Sequence, residues 1–416
     1  MDIAIVGAGL GGLAAAAVLL QRGHHVRVYE QAAQLGEVGA GIQMSANAMK
    51  VLDRIGLRTV LEPVAVRPLA FEFRRFDSGE MLHQLPLGAA HEERHGAPYF
   101  QLHRADLHAA LRDAVRAWDP HALVPGARVT ALHDDADGVR LHFGTNDRAP
   151  ASAELVVGAD GIKSVVRHYV LQDVLQDALQ DGRQDPGEDR PVFTGQVAWR
   201  CLVPTERIPA ALRTDIVSTI WCGPKNHAVT YYLRAGTLLN FVGCVERNWD
   251  AAEEESWTAR RPWAELDADY AGWHPMVRAV VEHVERDQCY RWALNNRAPS
   301  QRWSGERMTL LGDAVHATLP YMAQGAAMAI EDAAVLARAL ALPLPLAERL
   351  RRYQDHRAPR AARVVRESTE MGELYHIVDA KAMRAAFVAR DIARSRNEWL
   401  YPYDPWTAAL VPGNPP

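Results

Sequence analysis

The chain has 416 residues, 48% hydrophobic and 23% charged, with a formal net charge of −5 and a pI near 6.4. That size leaves room for two or three domain-sized units of a soluble globular protein, and the balance excludes the basic footprint of a nucleic-acid binder. Cys201, Cys222, Cys244 and Cys289 are widely spaced, with no CxxC and no metal-like Cys/His spacing, so reduced thiols, no metal and a cytoplasmic location are expected.

Asp2 runs at once into a strand-turn pattern, leaving no room for a signal peptide. The nearest apolar run, Leu13 to Leu20, is too short to span a bilayer. Ile3 to Val6 reads as a strand buried on both faces, Gly7 to Gly12 as a turn, Leu13 to Gln21 as a helix stopped by Gly23, and Val26 to Tyr29 as a second strand. Together they make a βαβ unit of about thirty residues. Gly36 to Gly41 is glycine-rich enough to bring backbone close to a ligand. Helices follow over Ala46 to Ile55 and His103 to Ala117, the latter after a strand-like PYFQL. A hairpin is expected from Val129 to Phe143, then a buried strand from Glu154 to Gly158.

Between Tyr169 and Arg190, LQD recurs at Leu171, Leu175 and Leu179, which reads as a short amphipathic helix followed by an exposed loop. Pro191 to Glu246 is strand-rich and predicts an antiparallel sheet, and Trp257 to Val284 is helical. Leu310 to Leu340 restores the strand, glycine-rich turn and helix, and Pro345 to Ser395 is mostly helical. Arg349, Arg351, Arg352, Arg357, Arg360, Arg363 and Arg366 read as a solvated helix face, because Asp355, Glu367 and Glu370 interrupt the positive charge.

In GAGLGG, Gly7 permits the turn, Gly9 lets backbone approach a pyrophosphate, and Gly12 allows close helix–strand contact. The helix N-terminus favours the anion, and Glu30 at the end of the next strand can accept hydrogen bonds from a ribose, so an adenine dinucleotide is expected. In LLGDA, Asp313 follows an apolar strand; Gly325, Ala326 and Ala327 then open a helix whose N–H groups can meet a ligand at close range.

Five motifs stand in order: GAGLGG, GEVGAGIQMSANAMKVL, HRADLH, GADGIKSVVR and GDAVHATLPYMAQGAAMAIEDA. With them the whole chain resembles the single-component FAD-dependent aromatic hydroxylases, in particular the salicylate, 3-hydroxybenzoate and 6-hydroxynicotinate hydroxylases. The resemblance implies an α/β fold, with a Rossmann-like FAD-binding domain of the para-hydroxybenzoate-hydroxylase type and an inserted antiparallel-sheet substrate domain (α+β). The FAD domain would comprise 1–72, 101–168 and 295–342, the substrate domain 73–100 and 169–294, with a helical C-terminus over 343–416. The FAD site would draw on Gly7, Gly9, Leu10, Gly11, Gly12, Glu30, Gln31, Gly41, Ile42, Arg104, Asp160, Arg167, Asp313, Pro320, Gly325 and Ala326. Asp160 and Arg167 would serve FAD and NAD(P)H together, and Pro320 would lie against the isoalloxazine ring. Glu30, being used for FAD, does not discriminate NADH from NADPH.

On a strand from His227 to Leu233, His227 and Tyr231 share one face, toward solvent, core or ligand. With the resemblance they become catalytic candidates beside Pro320, since a histidine could take a phenol proton or hold the phenolate. Gln43, Tyr99 and Tyr321 would line the substrate pocket, and Arg200 or Arg234 could bind a substrate carboxylate. The implied cycle reduces FAD with NADH or NADPH, adds O2 at flavin C4a, and transfers the distal oxygen of the hydroperoxide to a small phenolic aromatic or N-heteroaromatic carboxylate. Decarboxylative hydroxylation of the salicylate type is the alternative; a flavin oxidase or dehydrogenase, or a non-catalytic nucleotide sensor, is the more distant one. No nucleic acid or membrane partner is expected, and the chain would act as monomer or homodimer.

Overall fold

The computed structural model describes residues 1–36, 40–135, 137–144, 148–180, 190–248 and 259–410, with backbone alone over 173–180. A five-stranded parallel sheet has the spatial order Met308–Leu310, Leu155–Gly158, Asp2–Val6, His25–Tyr29, Leu123–Val124. Val6 is in register with Gly158, and Gly158 with Leu310. Three strand ends therefore stop at one level, so the loops after them gather where ligands bind in open α/β sheets.

The helix Leu10–Gln21 is buried almost all round and packs on Gly325–Leu340. Small side chains allow this approach: a Cβ on Gly11 would lie 2.9 Å from that of Ala329. Val129–Asp135, Gly138–Phe143 and Ala151–Ala153 form a small antiparallel sheet.

The second large sheet has seven strands, ordered Tyr290–Asn296, Val192–Pro204, Leu238–Glu246, Asn226–Leu233, Ser218–Gly223, Ala70–Arg75, Met81–Pro86. It corrects the expected antiparallel sheet at one place, where Ser218–Gly223 runs parallel to Ala70–Arg75. These two strands are joined by a long excursion through the first sheet, not by a hairpin, so nothing local enforces antiparallel pairing. One face of the sheet, with Trp199, Ala228 and Tyr232, packs under Trp263–Asp269 and Pro275–His283; the other looks toward the parallel sheet. Of the helical run expected over 257–284, residues 257–258 lie outside the described residues, and the rest forms two helices, Trp263–Asp269 and Pro275–His283, with 259–262 and 270–274 outside them.

The expected boundaries at 72/73, 100/101, 168/169 and 294/295 fall inside the continuous elements Ala70–Arg75, Phe100–His103, Val165–Gln180 and Tyr290–Asn296. The LQD repeats lie on the helix Val165–Gln180 up to Gln180; Leu171 is buried, while the Leu175 and Leu179 side chains and residues 181–189, where a loop is expected, lie outside the described residues.

Leu346–Tyr375 is a 30-residue helix, and its arginines correct the solvated-face reading. Arg351 and Arg366 are exposed, but Arg357 and Arg360 are 0% and 2% exposed. Arg357 reaches Glu331 at 2.6 Å and Asp332 at 2.7 Å, and Arg360 reaches Glu331 at 2.8 Å. The neutralising acids come from the helix Gly325–Leu340, not from the sequence around the arginines. Among the described residues no helix is long and apolar enough to cross a membrane.

Candidate active site

The loops at the ends of the parallel strands and one face of the seven-stranded sheet enclose a cavity of about 380 Å³. At its nucleotide end the glycine turn is sterically specified. Gly7 has φ +102°, and a Cβ on Gly12 would sit 2.0 Å from the Gly7 carbonyl oxygen, whereas Gly9 has open space around it. The Glu30 carboxylate accepts the Ala8 N–H and the Ala32 N–H, each at 2.8 Å, and so braces the turn. Gly9, Leu10, Gly11, Gly41, Ile42, Arg104, Asp313, Pro320, Gly325 and Ala326 all line the cavity.

Gly7, Gly12, Glu30, Gln31, Asp160 and Arg167 do not line this wall. Gln31 is exposed beyond the strand end. Asp160 accepts the Ser164 hydroxyl at 2.6 Å and the Val165 N–H at 2.7 Å, starting the helix Val165–Gln180. Buried Arg167 donates to the Ala314 carbonyl at 3.2 Å. Both brace the cradle from behind.

The helices Leu10–Gln21 and Gly325–Leu340 begin without a side-chain cap, leaving first-turn N–H groups for an anion. Gln324 does not cap because its amide is tied to Ser45, at 3.0 Å, and to Asn47, at 3.0 Å. Asp313 is exposed beside them, a carboxylate ready to accept polyol hydroxyls. Two open helix ends, an uncrowded glycine and an acid fit a dinucleotide with a polyol arm.

The other end of the cavity is built on the strand Asn226–Leu233. His227, Val229 and Tyr231 line the cavity, while Ala228 and Tyr232 face the opposite core, as period-two alternation requires. A Cβ on Gly41 would lie 2.4 Å from Tyr231 Oη, so glycine there is what lets the ring enter. Tyr321 lines the cavity, its ring edge-on to His227 at 5.0 Å, and its hydroxyl donates to the Gln196 side-chain oxygen. Gln43 lines the cavity, donates to Ser218 Oγ at 3.1 Å and accepts the Tyr99 hydroxyl at 2.7 Å. Tyr99 does not reach the wall; it is buried behind Gln43 and fixes that amide, a correction to the expected pocket set.

His227 Nδ1 lies 2.9 Å from His376 Nε2, and His376 Nδ1 lies 3.1 Å from Glu246 Oε1. A carboxylate only accepts, so the proton between His376 and Glu246 sits on His376 Nδ1. Neutral His376 then accepts at Nε2, which puts a proton on His227 Nδ1 and leaves the lone pair on His227 Nε2. Burial, with His376 beside it, holds His227 well below the usual histidine range, so the lone pair is available at neutral pH. Glu246 is 42% exposed and opens this chain of groups to solvent.

Sequence reasoning did not find Glu246, Tyr375, His376 or Arg396. Tyr375 and Arg396 line the cavity, and Tyr375 donates to the Tyr321 carbonyl at 3.0 Å. All but Glu246 come from the C-terminal helical segment. Neither arginine proposed for a carboxylate lines the cavity. Arg234 forms a paired bond to Asp106 at 3.0 and 2.9 Å, and Arg200 lies over Trp292 at 4.9 Å.

A parallel-sheet dinucleotide cradle opens onto a second sheet that carries an oriented imidazole, an arrangement that fits a flavoprotein of the aromatic-hydroxylase type. The chain belongs to the FAD binding domain family, whose model matches residues 1–177 and 240–368, and it is an FAD-dependent aromatic-ring monooxygenase with NAD(P)H as reductant. It is 37% identical to a 3-amino-4-hydroxybenzoate 2-monooxygenase of Streptomyces platensis, over 97% of this chain and 96% of the relative. It is 35% identical to a 6-hydroxynicotinate 3-monooxygenase of Bordetella bronchiseptica, over 99% and 97%. Its fold matches that of Klebsiella pneumoniae HpxO complexed with FAD and uric acid, with a TM-score of 0.78 and 29% identity over 95% and 94% of the two chains.

Proposed function

We propose that the enzyme hydroxylates a small phenolic or N-heteroaromatic carboxylate, with His227 as the group that accepts the ring hydroxyl proton. The observation that carries this reading is the His227–His376–Glu246 hydrogen-bond chain on a histidine that lines the cavity, which sets the His227 lone pair on Nε2. The relatives' substrates, 3-amino-4-hydroxybenzoate and 6-hydroxynicotinate, are ring acids of this class.

Bound FAD supplies the electron-accepting and oxygen-transferring chemistry, and the protein supplies orientation, dryness and proton handling. Electrophilic oxygen transfer needs an electron-rich ring. The substrate hydroxyl gives its proton to His227 Nε2; His227 Nδ1–H passes its proton to His376 Nε2, and His376 Nδ1–H passes its proton to the Glu246 carboxylate at the surface. Pro320 and the Gly325–Ala326 helix start form the cofactor side of the cavity, and Tyr231 and Tyr321 the substrate side.

The test is NADH and NADPH oxidation with simultaneous oxygen uptake, over a panel of hydroxybenzoates, aminohydroxybenzoates and hydroxypyridine carboxylates, with products identified by mass spectrometry. A compound that accelerates oxidation and gains one oxygen supports the reading. Release of CO2 moves the enzyme to decarboxylative hydroxylation, and a panel without stimulation rejects the substrate class.

A further inference from the structure

Arg396 opens the π-helical turn Arg396–Leu400, is 4% exposed and lines the cavity. Its neighbours in the C-terminal segment are ion-paired: Arg390 with Glu370, and Arg394 with Glu398. The buried Arg357 and Arg360 hold Glu331 and Asp332. Among the described residues no carboxylate stands within ion-pairing distance of Arg396.

Its surroundings are aromatic instead. The guanidinium lies 5.3 Å from the centre of the Phe71 ring, and the phenol groups of Tyr401, Tyr375 and Tyr99 act on it from nearby. Burial pushes the ionisation of all three phenols up, so they offer oxygen atoms but no negative charge. A buried cation is costly unless an anion accompanies it, and a planar guanidinium matches a carboxylate with two parallel N–H···O bonds. Phe71 belongs to the seven-stranded sheet and Tyr375 touches the His227 ring, so a carboxylate that pairs with Arg396 would lie on the His227 side of the cavity. The phosphate-binding features (Gly9, Gly11 and the Gly325 helix start) lie on the parallel-sheet elements instead.

We infer that Arg396 binds the substrate's carboxylate, making the enzyme selective for aromatic acids over their neutral counterparts. The inference rests on the hydroxylase reading above and assigns a specificity residue within it.

The experiment uses FAD-loaded wild-type enzyme, Arg396→Gln and Arg396→Lys. Equilibrium binding is followed through the flavin absorbance change with 3-amino-4-hydroxybenzoate, 6-hydroxynicotinate and 3-hydroxybenzoate, each against its carboxamide. Wild type should prefer at least one acid over its amide on the order of 100-fold. Arg396→Gln should lose that preference while keeping FAD stoichiometry, and Arg396→Lys should keep part of it. A merely structural arginine would change both ligands equally, and equal loss for acid and amide in Arg396→Gln overturns the assignment. If Arg396→Gln does not fold, the wild-type acid-to-amide ratio decides: a ratio near one overturns it. Neutral phenols that stimulate NAD(P)H oxidation as well as the acids sink Arg396 but leave the hydroxylase standing; no stimulation by any aromatic compound sinks both.

Discussion

His376 Nε2 meets His227 Nδ1 at 2.9 Å although 149 residues separate them. The C-terminal end of the 30-residue helix Leu346–Tyr375 thus sets the tautomer of an imidazole on the seven-stranded sheet. Around metal-bound histidines, partners that orient the ring commonly change activity 10- to 100-fold when lost, and the same orienting role applies to His376. His376→Phe should lower product formation on the order of 10- to 100-fold, with FAD content unchanged. Glu246→Gln, at the exposed end, should cost less than His376→Phe. Steady-state product formation measures both, and wild-type rates in His376→Phe would remove the relay from the mechanism.

Gly9 and Gly12 should separate cofactor binding from folding. A Cβ at position 12 meets the Gly7 carbonyl at 2.0 Å, whereas one at position 9 meets nothing within 4 Å. Gly9→Ala should fold with wild-type thermal stability and lose FAD affinity, because it occupies the space the pyrophosphate needs. Gly12→Ala should lose stability, about 1–3 kcal/mol for a crowded site. Apo-protein melting and FAD titration give both answers; tight FAD binding by Gly9→Ala would contradict the cradle.

The buried cluster between the two long helices should dominate a single-residue stability scan. Glu331 accepts from Asn47 at 2.6 Å as well as from Arg360. Glu331→Gln leaves two buried guanidinium groups short of charge, with an expected loss of about 3–5 kcal/mol. Denaturant unfolding would show it as a lower midpoint.

Acid sensitivity follows from two other histidines. Burial lowers His91 to about 3 and His356 to about 4, from an unfolded value of 6.5. Below pH 6.5 the unfolded chain takes protons that the folded chain refuses. Stability is therefore full above that pH and falls as pH drops toward about 4 for His356 and about 3 for His91. Each contributes a loss of about 1.4 kcal/mol per pH unit at most. Melting temperatures between pH 7 and 5 should fall less steeply in His356→Gln than in wild type; equal slopes would refute the assignment.

The sequence carried the features that local geometry sets. The glycine turn, the place of Glu30 just after the second strand and the shared face of His227 and Tyr231 are statements about backbone sterics and strand period, and they are legible over a few residues. Arg396, Tyr375 and His376 were not legible, because a helical segment shows its own periodicity but not which sheet it packs against. The same limit hid Arg357 and Arg360: a run of arginines looks solvated until Glu331 and Asp332, on another helix, are found beside it. Tyr99 was the opposite error, a residue with the right neighbours that turned out to stand behind Gln43. The parallel strand pair at Ser218–Gly223 escaped because register between distant strands leaves no local trace.

If His227 Nε2 takes the substrate proton so that oxygen reaches the ring, the ratio of hydroxylated product to NAD(P)H consumed under 18O2, with the stimulating aromatic acid, must differ between wild type and His227→Phe. Wild type should place one labelled oxygen in the product per NAD(P)H. His227→Phe should still consume NAD(P)H, release hydrogen peroxide, and form product on the order of 100-fold more slowly. A His227→Phe enzyme as well coupled as wild type would contradict the account.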